Sequence, residues 1–334
     1  MFLIGKEHES KRCLNNRREK MASEVILFGE PMALFAAKEE GSLAEATEFK
    51  RLLAGAEVNV AVGLTRLGYD VMYATRLGMD PFGDYIERKL KEEGIHTNII
   101  RDKERPTGFQ WKNHVREGDP AVYYLRKNSA ASCITEDDVN SIDFRGAKLL
   151  HITGILPALS LSSRNAVYRI IEKARECNLT VSFDPNLRES LWESKSAMIR
   201  TINDLASKAD IVLPGIGEGK ILMGSENPEE IANYYLGLGA KTVVVKLGAK
   251  GAYVKNETEE GYFDGYPVKE VVDTVGAGDG FAVGVLSAYL EGGDIREMAD
   301  RGNAIGSMQV MVSSDNEELP TREELTRFRE QGHR

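Results

Sequence analysis

The densest chemistry in the 334-residue sequence lies at Asp273–Leu290, DTVGAGDGFAVGVLSAYL. An apolar helix with small residues on one face (Ala282, Gly284, Ser287, Ala288) follows the turn Gly276-Ala277-Gly278. Glycines let backbone N–H groups converge and approach a ligand closely, and a helix start adds partial positive charge. Such a turn is an anion hole suited to charge developing on a transferring phosphoryl group. Asp279 follows it directly, where a carboxylate can take the proton of an attacking hydroxyl. The plainer reading is that Asp279 caps the helix, the usual task of an aspartate at a helix start. Two other glycine-rich readings fail on spacing. GIGEGK at 215–220 lacks the spacing and the Ser/Thr of a nucleotide phosphate loop, and GAGDGF puts Phe281 where a dinucleotide fingerprint needs its third glycine.

The elements that must position these residues begin with an ordinary globular composition, 42% apolar and 28% charged. No apolar run is long enough to span a bilayer. A formal net charge of −9, without basic clusters beyond the first twenty residues, argues against partnership with nucleic acid or an anionic membrane. An anionic substrate must therefore be held by local positive groups. Cys13, Cys133 and Cys177 are dispersed and fit reduced thiols of a cytoplasmic protein, and neither they nor the five histidines have metal-ligand spacing. His151, beside Leu149 and Leu150, reads as a satisfied core histidine.

Residues 1–22 form a polar, basic leader without a sustained apolar face or cleavage site, and Met21 is the expected natural start. Short apolar runs, Val25–Gly29, Val71–Thr75, Lys148–Thr153, Thr180–Asp184, Ile211–Leu213 and Thr242–Leu247, read as buried strands. Helical spacing separates them at Val58–Leu67, Pro81–Glu93, Ser162–Cys177 and Pro228–Leu238. This rhythm predicts an α/β chain with a mostly parallel sheet covered on both faces, whose ligands bind beyond the carboxyl ends of the strands. Residues 31–53 and 105–132 alternate apolar and polar instead and predict a small β-sheet lid, the second as a hairpin about EGDP. One domain is expected over 23–325, with a polar tail at 326–334.

The stretch Asp273–Leu286, with the spacing DTxGAGDxF, resembles the signature of the ribokinase-like (PfkB) sugar kinases. A looser N-terminal pattern agrees: Gly55-Ala56-Glu57-Val58-Asn59, then Gly68 and Gly78 before DPFGD. The likeness runs from about Val25 to about Pro320. FGEPMALF, YYLRKNSAAS, FDPNLR and LPGIGEGKILMG are most similar to the 2-keto-3-deoxygluconate kinases of that family, although fructokinases and ribokinases share parts of them. The resemblance implies a three-layer α/β/α fold with a mostly parallel central sheet and a β lid.

The resemblance also implies a set of roles. Asp279 is the base, and Gly276, Ala277 and Gly278 form the anion hole. Gly55 and Asn59 hold sugar hydroxyls, Tyr124 and Arg126 reach in from the lid, and Asp315 closes the far side. Asn186 and Arg188 lie between substrate and phosphates. Lys246, Gly248 and Gly251 line the nucleotide, with Asn303 near adenine. ATP and Mg2+ are the implied cofactors, and some relatives add a monovalent cation near the strand leading into Asp273. Where the family has Asn-x-x-Glu, this chain has Gly215-Ile216-Gly217-Glu218, so Glu218 would reach the metal only through water.

Charge supports part of this reading, because a sugar acid on a chain of net −9 calls for an arginine clamp, and Arg126 and Arg188 are the candidates. The expected reaction is phosphorylation of the 6-hydroxyl of 2-keto-3-deoxygluconate. Kinases of fructose, ribose or 5-dehydro-2-deoxygluconate are the alternatives within the fold, and a non-catalytic sugar-binding relative is the alternative outside catalysis. Lids of this type often pair between subunits, so a homodimer through Phe35, Phe109, Trp111 and Tyr123 is expected.

Overall fold

The computed structural model describes residues 23–115, 120–312 and 316–332. The leader, Asp315 and most of the EGDP turn lie outside the described residues. In chain order the strands are β1 (Val25–Phe28), β2 (Met32–Glu40), β3 (Phe49–Ala54), β4 (Val71–Gly78), β5 (His96–Asp102), β6 (Phe109–His114) and β7 (Val122–Leu125). Then come β8 (Leu149–Thr153), β9 (Thr180–Asp184), β10 (Ile211–Val212), β11 (Thr242–Lys246), β12 (Ala252–Asn256) and β13 (Glu260–Phe263).

Nine of them form one sheet in the order β13-β12-β11-β10-β9-β8-β1-β4-β5. The pairs from β11 through to β5 are parallel, and β12 and β13 add an antiparallel edge. β1 shows why the short apolar runs read correctly. Val25 and Leu27 join the core on one face, Ile26 and Phe28 the core on the other, and all four are buried. A strand with helices on both sides has no polar face to display. The first core gathers helices Ala56–Arg66, Pro81–Glu92, Ala277–Leu290 and Ile295–Gln309. The second gathers Leu161–Glu176, Lys195–Ala206 and Pro228–Leu238. β1 lies between β4, which follows it, and β8, which starts the run in the opposite direction. That reversal opens a crevice at the carboxyl ends of the strands, as sheets of this kind do.

The lid is a separate sheet of order β3-β2-β6-β7, in which the two predicted segments meet through parallel pairing of β2 with β6. Period-two alternation gives it two unlike faces. Phe35 and Phe109 lie on one face and stack edge-on, with Phe82 of the helix Pro81–Glu92 beside them. Gln110, Lys112, Val122 and Tyr124 occupy the other face, which overhangs the crevice.

Residues 326–332, expected as a polar tail, instead complete the helix Arg322–Gly332. Phe328 packs against Tyr266, and Arg329 pairs with Glu297 and Asp300, so the polar composition belongs to the outer face of a docked helix. At the site helix Ala277–Leu290, a Cβ on Gly284 would lie 2.3 Å from backbone atoms of Arg301 in the next helix. Gly284→Ala should therefore destabilise the protein by about 2 kcal/mol, since backbone cannot move aside as a side chain can. A chemical denaturation midpoint checks this, and an unchanged midpoint would contradict the close packing.

Candidate active site

The helix Ala277–Leu290 starts at Gly276, whose φ of 80° is left-handed and suits glycine. The first turn of a helix has no carbonyls of its own to accept from its N–H groups. The Gly276–Asp279 turn borders a cavity of about 440 Å³ lined by Gly276, Gly278 and Asp279, while the Ala277 N–H donates to Thr274 O at 3.4 Å. The same cavity receives Gly55, Asn59, Tyr124, Arg126, Asn186, Arg188, Glu218 and Lys246. Every described residue expected to bind the sugar thus reaches one space, as do Asn186, Glu218, Lys246, Gly276 and Gly278 of those expected near phosphate or metal, whereas Ala277 does not line it.

Asp279 is buried and does not cap its own helix. Its Oδ2 accepts from Asn59 Nδ2 at 2.8 Å and its Oδ1 from Asn186 Nδ2 at 3.2 Å. Burial pushes its carboxyl up from 3.8 to about 7. The Asn59 hydrogen bond opposes that rise, nearby Asp184 adds to it, and Arg188 and Lys246 oppose it. A carboxylate held near neutrality can both accept and release a proton.

Lys246 closes β11 and donates to Asp184 Oδ2 at 2.7 Å. Burial lowers its pKa, but Asp184, Glu218 and Asp279 more than reverse that, so it stays charged. Its Nζ would lie 3.9 Å from a Cβ on Gly278, which places the ammonium beside the amide turn. Asn186, at φ 38°, is one of three non-glycine residues with positive φ among those described. Its N–H donates to Asp184 Oδ1 at 3.0 Å, and this tight turn aims its amide at Asp279.

Glu218 is committed to the backbone. Its Oε1 accepts from Leu187 N at 2.9 Å and its Oε2 from Gly215 N at 2.7 Å. It caps the helix Ile216–Met223 and ties it to the loop after β9. Asp184 is likewise engaged at both oxygens. Among the described residues no group of three or more metal-binding side chains exists. A hydrated magnesium carried by phosphates would meet Glu218 through water rather than sit in a protein cage.

Some expected residues also make contacts within the protein. Arg126 is buried and donates from Nε to Glu30 Oε2 at 2.7 Å, while Ser129 Oγ donates to Glu30 Oε1. Its charge is already balanced by a buried carboxylate. Asn303 does not line the cavity, and its amide donates to the carbonyls of Phe263 and Asp264. Gly248 and Gly251 border the same region. A Cβ on Gly251 would lie 2.0 Å from Phe263 O, so glycine allows the loop after β11 to press on β13. His151 is buried and only half satisfied, with Nδ1 at 3.1 Å from Ser182 Oγ and no partner for Nε2. Burial lowers its pKa to about 4, leaving it neutral. Cys133 and Cys177 are free thiols.

Four residues of the site escaped the sequence reading. Gln110 and Lys112 line the cavity from the lid, and alternation with Phe109 and Trp111 was the signal that pairs them on one face. Lys112 Nζ lies 2.6 Å from Asp273 Oδ2, joining the lid to the loop before the signature helix. Asp184 was visible as a carboxylate ending the apolar strand TVSFD. Asn316 carried no local signal.

A sequence profile described as pfkB family carbohydrate kinase matches residues 22–322. The 2-dehydro-3-deoxygluconokinase of Bacillus subtilis (strain 168) is 49% identical over 310 residues, covering 92% of this chain and 96% of that protein. That of Thermoproteus tenax is 34% identical over 316 residues, covering 93% and 95%. Among solved structures, a putative Ribokinase II from E. coli in complex with ATP and Mg2+ superimposes with a TM-score of 0.84 at 25% identity, over 92% of this chain and 99% of that one. With its signature helix opening on the crevice of a mostly parallel sheet beneath a small β lid, the chain belongs to the pfkB family of carbohydrate kinases and is a sugar kinase of ribokinase-like fold.

Proposed function

We propose that the enzyme transfers the γ-phosphoryl group of ATP to the 6-hydroxyl of 2-keto-3-deoxygluconate. The carrying observation is the Asp279 carboxylate, buried beside the amide turn of Gly276–Gly278 and aimed by two asparagines. Asp279 takes the hydroxyl proton as the sugar oxygen attacks phosphorus. The bond to the bridging oxygen breaks, ADP leaves, and the proton passes from Asp279 to solvent. Amides and Lys246 stabilise the phosphoryl oxygens where charge spreads. Glu218 would hold a water of the magnesium ion, which would supply charge neutralisation at the phosphates. The lid's inner face excludes water from the sugar.

The relatives' names supply the keto acid, and the charges in the crevice suit it. Arg126 is spent on Glu30, whereas the exposed Arg188 donates to Leu187 O at 2.9 Å and, though within the field of Asp279, forms no ion pair among the described residues. Arg188 is the better clamp for the substrate's carboxylate. A panel of keto-deoxy acids and neutral sugars with coupled ADP detection tests this reading. Arg188→Ala should raise KM for the keto acid about tenfold or more and leave KM for any neutral sugar turned over nearly unchanged. Arg126→Ala should harm every substrate, because it strips Glu30 of its buried partner. Preference for a neutral sugar over the keto acid would overturn the substrate assignment.

The lid also supports a homodimer. Phe35 and Phe109 are consumed within the subunit, but Trp111 and Tyr123 on the same face stay 36% and 63% exposed. Light scattering should give twice the 37.0 kDa chain mass, and Tyr123→Lys should weaken the pairing. A single-chain mass would end the proposal.

A further inference from the structure

The contact of Asn59 with the Asp279 carboxylate has its own support. Asn59 can help Asp279 only if its amide is turned with the nitrogen toward the carboxylate, and nothing in the helix Ala56–Arg66 imposes that turn. The constraint comes from the other end of the chain. Asn316 is buried, and its Nδ2 donates to Leu53 O at 2.8 Å and to Asn59 Oδ1 at 2.9 Å. Both amide protons of Asn316 are used on acceptors, one of them a backbone carbonyl that cannot donate. Its orientation is therefore set, and it presents a donor to Asn59. Asn59 must answer with its oxygen, which leaves its nitrogen facing Asp279 Oδ2 at 2.8 Å.

The backbone around Asn316 is fixed from the same helix. Arg66 Nη1 donates to the carbonyls of Asn316, Glu317 and Leu319 at 3.1, 2.8 and 3.0 Å. Its Nε and Nη2 are held by Glu93. One helix thus grips the C-terminal segment at two points, through Asn59 near its start and Arg66 at its end.

We infer that Asn316 is a positioning residue for the catalytic base, acting through Asn59 to fix which face of the amide meets Asp279. The inference rests on the kinase reading of Asp279 given above. Its effect is directional. A donor on the Asp279 carboxylate favours the ionised form, so losing it makes the proton harder to remove. The other charges facing Asp279 are Asp184 from β9, Arg188 from the loop after β9, and Lys246 from β11. Glu218 stands behind Lys246. None of these touches Asn316 among the described residues, and Asp315 lies outside them.

Asn316→Asp replaces the donor by an acceptor. Asn59 would then turn its nitrogen toward the introduced carboxylate and its oxygen against Asp279. Asn316→Ala removes the donor without adding charge. The measurement is kcat/KM for 2-keto-3-deoxygluconate between pH 5 and pH 9 in the wild type and both variants. The ratio of rates at pH 9 and pH 6 within one preparation cancels differences in the amount of folded enzyme. The acid limb should move upward by about one pH unit, further for Asn316→Asp than for Asn316→Ala, so that a roughly tenfold loss at pH 6 is largely recovered at pH 9. A limb that stays in place, with an equal loss at every pH, would mean that Asn316 only stabilises the fold, and the inference would fall while the base assignment stood. Absence of any acid limb in the wild type would remove the base assignment itself, and this inference with it.

Discussion

Asp279→Asn should lower turnover about a thousandfold or more while leaving ATP binding nearly unchanged. Its amide cannot take the hydroxyl proton, yet it keeps the shape of the side chain between Asn59 and Asn186. The amide turn and Lys246 remain, so the phosphoryl group is still cradled. Rapid-quench turnover and nucleotide titration on the same preparation separate the two effects. The substitution also has a stability signature. The folded carboxyl titrates at about 7, against 3.8 when the chain is unfolded. Between those values the folded state holds the proton that the unfolded state has lost, so the wild type loses stability as pH rises through that window. A gap of this size corresponds to as much as about 4 kcal/mol. Asp279→Asn escapes that loss, so its melting temperature relative to the wild type should climb from pH 4 to pH 8. A constant difference would mean that the carboxyl is not desolvated in the folded state.

Lys246→Met should harm both folding and catalysis. The ammonium is the cation bonded to Asp184, and it also sits within the field of Glu218 and Asp279. Without it a buried carboxylate is left unpaired, which costs about 3 kcal/mol. Glu218, already raised by burial, would be pushed further up. The deficit should therefore grow as pH rises above the ordinary carboxylate range and shrink in acid, where the carboxyls are neutral. Turnover should fall about a hundredfold or more, because a positive charge beside the amide turn is lost where phosphoryl oxygens gather. Denaturation midpoints at pH 5 and pH 8, with turnover at pH 8, check both parts. Near-normal turnover would exclude Lys246 from the phosphate site.

The fold was readable wherever burial is two-sided. VILF, LLHIT and TVVVK carry apolar residues on both faces because each lies between helical layers, and their ends fell within two residues of expectation. The lid was readable for the opposite reason, since one wet face leaves alternation in the sequence. The antiparallel edge β12–β13 was not foreseen, nor was the docking of the helix Arg322–Gly332, whose polar face hides the contact of Phe328 with Tyr266.

Within the site, residues on the glycine-rich turn were legible because backbone chemistry restricts their types. Side chains whose role depends on a distant partner were not. Arg126 looks in sequence like a free cation, and only the fold brings Glu30 to it. Asn316 lies 257 positions from Asn59, and no local pattern links two asparagines so far apart. Glu218 resembles a metal residue in sequence, and nothing local there shows that it also caps a helix and holds the loop that carries Asn186.

The most direct measurement is the pH dependence of kcat/KM for 2-keto-3-deoxygluconate in the wild-type enzyme at saturating ATP. One acid limb should appear near pH 7, with the rate dropping tenfold per unit below it, and the residual rate of Asp279→Asn should lack that limb. A rate that stays level from pH 5 to pH 8, or a limb that survives in Asp279→Asn, would contradict a proton-accepting Asp279 at the phosphoryl site.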